Sequence, residues 1–181
     1  LFTLETLKDA VLHGRDLACD ALPTPTTVQD LLEARLSELP AQCTDLLRVA
    51  AVAGADLTVE RAATMLSCSP LELAQAWTRL ETANVLAGQR FAHDLVHDSA
   101  LRLVPSALRR VLHASWAALM TRDAAVAPGR VAAHWQAAER WGEAARSWFA
   151  AAVAARRAGR LVEEVELLER AAERHAQAGD E

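Results

Sequence analysis

The chain has 181 residues (19.6 kDa), 52% of them hydrophobic, with few Gly (7) and Pro (6) and no Tyr; about 70% of such a chain's surface can be buried, and this composition favours packed helices over sheets. A formal net charge of -5 and a pI near 5.7 exclude nucleic-acid binding by a generally basic surface. Cys19, Cys43 and Cys68 are odd in number and widely spaced, and the apolar stretches break before the ~20 residues of a membrane span, so the expectation is an all-α, cytoplasmic protein with reduced thiols and no membrane contact.

Leu1, Leu4, Leu7 and Val11 begin a helical apolar pattern at the first residue, which is not Met, so the natural protein is expected to continue upstream. The stretch from Leu22 to Thr27, with Pro23 and Pro25, reads as a linker. Thr27 and Asp30 have cap spacing, and Val28, Leu31, Leu32, Leu36 and Leu39 predict a helix. Pro40 suits the first turn of a second helix, carried by Leu46, Leu47, Ala50, Val52 and Ala53 and ended by Gly54. A third, shorter helix is predicted over about Val59 to Leu66.

Ser69-Pro70-Leu71-Glu72 is a capping-box signature, with Pro where its missing N–H costs nothing. The helix it starts turns Leu73, Trp77 and Leu80 inward. Val85-Leu86-Ala87, Gly88-Gln89 and Arg90-Phe91-Ala92 then predict a minimal β-hairpin, because Gly supplies the positive φ of a tight turn. Three helices followed by such a wing point to a winged helix. From His93 the helical pattern resumes with Leu95, Ala100 and Leu103, and after Pro105 with Leu108, Val111, Leu112 and Leu119. Thr121 to Arg130 is the second boundary. Three Ala-rich segments follow, about Val131 to Glu139, Trp141 to Arg157 and Arg160 to Ala178, whose short connections predict antiparallel helical hairpins.

The run Leu1-Phe2-Thr3-Leu4-Glu5-Thr6-Leu7, the stretch Val28 to Leu39 with Leu46 to Ala51, Arg90-Phe91-Ala92-His93-Asp94-Leu95, and Leu112-His113 occur in an order with a family resemblance. Together they resemble the segment after the nucleotide-binding domain in large bacterial regulators of the signal-transducing NTPase (STAND) class, including those with antibiotic-regulatory or LuxR-type DNA-binding ends. Ala132-Ala133-His134-Trp135 and Gly159-Arg160-Leu161, leading into Glu163-Glu164, resemble degenerate tetratricopeptide (TPR) repeats. Val165 departs from the repeat's Ala, and no full period of about 34 residues recurs.

The resemblance implies a helix over 1–22 completing an upstream ATPase domain, a winged-helix domain with following helices over 27–120, and the start of TPR-like repeats over 128–181. It implies a non-catalytic role in transcription regulation through interdomain and protein–protein contacts. The implied partners are the upstream nucleotide-binding domain and a protein or small-molecule effector on the repeats. ATP or ADP is expected in that upstream domain and no cofactor in this fragment, which has no Gly-rich phosphate loop; its single lysine, Lys8, follows no glycine turn.

Within that resemblance His93-Asp94-Leu95 is similar to the Met-His-Asp motif by which related switch proteins touch the β-phosphate of ADP, with Ala92 in place of Met. The other reading is that His93 and Asp94 cap the next helix. His93 and His97 share a helix face, but the His-Glu-x-x-His pattern and a third ligand are missing, so no metal site is assigned. His113 and His134 read as packing residues. Trp77, Trp116, Trp135, Trp141 and Trp148 read mainly as core, Trp141 and Trp148 forming an i, i+7 stripe that is a protein-binding candidate where exposed. The alternative function is a stand-alone winged-helix DNA-binding regulator. Against it, the helix from Pro70 sets Glu72 and Glu81 against Arg79.

Overall fold

The computed structural model describes residues 28–179. The helix expected over 1–22, the proline linker, the Thr27 cap and Cys19 lie outside the described residues. Within them the chain is mostly helical, with one small two-stranded antiparallel sheet. Among the described residues no helix is long and apolar enough to cross a membrane.

Helix α1 (Val28–Ser37) buries Leu36 and leaves Val28 exposed. Pro40 is the N-cap residue of α2 (Ala41–Ala53) rather than part of its first turn. In α2 Cys43, Leu46, Leu47 and every residue from Val49 to Ala53 are buried, because α4, α5 and α6 pack around it. Gly54, at φ +56°, ends the helix and opens a single 3₁₀ turn (Gly54–Asp56). The Thr58 hydroxyl accepts the Arg61 N–H and starts α3 (Val59–Met65).

The capping box forms as its sequence demands. Ser69 Oγ accepts the Glu72 N–H at 3.2 Å, and the Glu72 carboxylate accepts the Ser69 N–H at 2.7 Å. Helix α4 (Pro70–Thr82) turns Leu73, Ala76, Trp77 and Leu80 into the core. Strands β1 (Leu86–Ala87) and β2 (Arg90–Phe91) follow, Leu86 opposite Phe91 and Ala87 opposite Arg90, with Gly88 at φ +62° in the turn.

Helices α5 (Asp94–Arg102) and α6 (Ser106–Met120) turn Ala100, Leu103, Leu108 and Leu112 towards the core as expected, but not Leu95 and Val111. Leu95 and Val111 face solvent at 56% and 60% exposure, while Val96 and Ala100, then Trp116, Ala117 and Met120, face the core. Helix α7 (Pro128–Ala137) starts three residues earlier than expected, Pro128 taking a first-turn place where its absent N–H breaks no bond. It is followed by α8 (Trp141–Arg157) and α9 (Leu161–Gly179). Helices α7, α8 and α9 each pack on the helix before it, and the short connections make them antiparallel neighbours. Buried Ala144, Ala145, Ala151, Ala152 and Ala155 let α7 and α9 approach α8 closely.

Two apolar clusters result. The first centres on α2 and crosses the Thr121–Arg130 stretch to take in Val131; the second joins Ala132 to α8 and α9, and Trp135 packs against both. The packing therefore divides on α7 itself, not in the loop where composition changes.

Candidate functional site

At the base of the hairpin the Ala92 N–H donates to the Val85 carbonyl at 3.0 Å, and the next residue, His93, continues extended at φ -149°, ψ 149° as the N-cap residue of α5. Its ring makes no cap bond, and Asp94 sits in the first turn, where a carboxylate complements the helix dipole. The side chains of His93 and Asp94 are both exposed. His97, one turn on, points inward. Its Nε2 lies 2.9 Å from the Ala51 carbonyl, and its ring centroid is 4.8 Å from that of Phe91. The two histidines thus part, one outward beside the hairpin and one fastening the hairpin to the end of α2. Among the described residues no three His, Cys, Asp or Glu side chains gather as a metal site.

Sequence reasoning missed the polar joint between the α2–α6 unit and α7. His113 on α6 and His134 on α7 meet with their Nδ1 atoms 2.9 Å apart, and His134 Nε2 lies 3.3 Å from Asp56 Oδ2. Arg130 is ion-paired with the same carboxylate and also donates to the Ala55 carbonyl at 3.3 Å. Asp56 only accepts, so His134 carries its proton on Nε2; its Nδ1 must then accept, and His113 donates from Nδ1. One carboxylate so orders two rings in series.

Burial, then His134 and Arg109, pushes His113 down to about 4. Burial also lowers His134, Asp56 opposing and Arg130 adding to the shift. Arg61–Asp123 at 2.8 Å and the ion pair of Arg110 with Glu139 extend the joint across its surface. Nothing in the sequence announces it, since Asp56 and His134 stand 78 positions apart.

The tryptophan stripe on α8 is largely covered. Trp148 is buried, its indole N–H donating to Gln136 Oε1 at 3.2 Å, with the Arg170 guanidinium 5.3 Å from its ring centroid. Trp141 is half-buried beneath Arg174, which also donates to Gln136 Oε1 at 3.0 Å. Gln136, Trp148, Arg170 and Arg174, with Glu166, Glu169 and Glu173, line a cleft of about 380 Å³ between α7 and α9, and Trp141 is not part of its lining. A ligand there meets charged groups before it reaches an indole. On α4, Glu72, Gln75, Thr78, Arg79, Glu81 and Thr82 are all exposed, and two backbone and side-chain bonds to Ser69 hold the Glu72 carboxyl below its ordinary range.

Comparison of the chain with protein-family models, with curated proteins and with solved structures finds no match. The class that the fold defines is accordingly, among the described residues, mostly helical with one two-stranded antiparallel sheet.

Proposed function

We propose that the chain is a non-catalytic regulatory segment of a signal-transducing, nucleotide-dependent transcriptional regulator. In this reading the winged-helix unit, 27–120, contacts an upstream nucleotide-binding domain through His93 and Asp94. The TPR-like helices from residue 128 receive a protein or small-molecule signal, Trp141 and Trp148 standing behind the cleft that meets it. The Asp56–His134–His113 joint carries the reading, because it ties the helices that would take the signal to the unit that bears His93. His93 suits contact with a neighbouring domain: it is exposed and extended, and its ring makes no cap bond to α5. An imidazole N–H there can donate to a phosphate oxygen of ADP bound in the upstream domain, stabilising the closed form by differential contact.

A hydrogen bond to a charged group contributes roughly 1.5 to 3 kcal/mol, so His93→Ala in the full-length protein should speed ADP release or raise basal output about ten- to a hundredfold. Wild-type ADP affinity and basal output in that variant would remove the sensor role. The DNA-binding alternative requires salt-sensitive duplex binding that Arg79→Ala abolishes, and the two outward carboxylates of α4 oppose it.

A further inference from the structure

We propose that the solvent face of α9 is a docking surface for a basic amphipathic helix of a partner protein. Helix α9 packs on α8 through Glu164, Leu167 and Ala171, yet it carries a second apolar stripe. Leu161, Val165 and Leu168 follow each other at i, i+4 and i+7 and are 65%, 56% and 37% exposed, with Val162 beside them at 77%. Single exposed apolar residues are ordinary; a contiguous row along two turns is a contact surface. Phe149 on the neighbouring α8 is a further exposed apolar side chain, at 57%. Spacing of this kind takes the ridge of another helix.

The charges beside the stripe decide what kind of helix. Glu166, Glu169 and Glu173 recur at i, i+3 and i+7 and form an acidic ridge along one flank. Glu163 and Glu164 are paired with Arg160 and Arg156, and Glu173 lies 3.6 Å from Arg174, whereas Glu166 and Glu169 have no ion-pair partner among the described residues. An antiparallel pairing of α9 with a second copy would set this ridge against itself, because like flanks meet in that arrangement. A helix with Lys or Arg beside its apolar stripe instead supplies the missing countercharges, as flanking positions do in paired helices. The surface is separate from His93, so this proposal and the nucleotide-sensing reading can fail independently.

The test uses the 181-residue chain and two labelled three-heptad helical peptides, each with Leu at a and d, one with Lys and the other with Glu at e and g. Fluorescence anisotropy at low salt should show saturable binding of the Lys peptide with at least about a tenfold preference over the Glu peptide, weakening as salt is raised. Glu166→Lys with Glu169→Lys should invert the preference, and Val165→Asp with Leu168→Asp should abolish binding while far-UV circular dichroism stays unchanged, both positions being exposed. Absence of binding, equal binding of the two peptides, or Lys-peptide binding that survives Val165→Asp with Leu168→Asp would overturn the proposal. So would concentration-dependent self-association of the wild-type chain that the same double substitution removes, since a second copy would then be the occupant.

Discussion

A buried imidazole resists protonation, the more so near a second ring and a guanidinium, and His113 is in that position: its folded-state pKa is about 4 against an ordinary 6.5. Below pH 6.5 the unfolded chain takes up a proton that the folded chain refuses. Stability is therefore complete above about 6.5, falls as the pH drops towards 4, and levels off below it. His134, shifted the same way, adds to the slope. The effect at pH 5 should be on the order of 1 kcal/mol, discounted because the His113 ring keeps part of its contact with water. Urea midpoints at pH 7 and pH 5 read it directly, and His113→Gln, whose amide can still donate to His134, should narrow the gap between them; an unchanged gap would remove His113 from the account. None of this was legible in the sequence, because a lone histidine on a helix has no local pattern that reveals a partner twenty-one positions away. Trp77 was legible, since Leu73 and Leu80 on the same face fix which way it points.

Elements whose ends are specified by neighbouring residues could be read almost residue by residue. The Ser69–Glu72 box needs only side chains three positions apart and the adjoining backbone, and it forms as written. Ser69→Ala should lower stability by about 0.5 to 2 kcal/mol through loss of the cap, measured by thermal or urea unfolding. A loss below that range would mean that Pro70 and the packing of Trp77 hold the first turn of α4 without it. Where two phases competed, the local pattern was insufficient. Leu95 and Val96, one position apart, can each share a face with Ala100 in α5, and only the surfaces of α1 and α2 against which the helix lies select Val96. The β-hairpin was readable from Gly88 because a tight turn needs the positive φ that glycine adopts without strain. Pro128-Gly129 read as loop because both residues are breakers inside a helix, yet at a helix start proline is well suited.

Across the whole molecule, the last three helices pack on their sequence neighbours, whereas the joint links residues far apart along the chain. The composition change near Thr121 to Arg130 was visible in the sequence, but the path of the first core through it to Val131 was not, since that depends on how α7 lies on α6. The Asp56 contacts to Arg130 and His134 therefore have a kinetic consequence. Local helix pairs form early because they close short loops, while a contact spanning 78 positions must await the ordering of everything between its ends. The joint should be unformed in the folding transition state. Asp56→Ala leaves Arg130 and His134 without their carboxylate, and its cost should fall on the unfolding arm of the chevron, raising that rate by about tenfold while refolding stays near wild type. Stopped-flow tryptophan fluorescence across a urea series separates the two arms, and slower refolding of Asp56→Ala would mean that the contact of Asp56 with α7 is part of the nucleus. With refolding unchanged, Asp56 acts as a latch on a structure that assembles without it, governing how long the two halves stay joined rather than how quickly they meet.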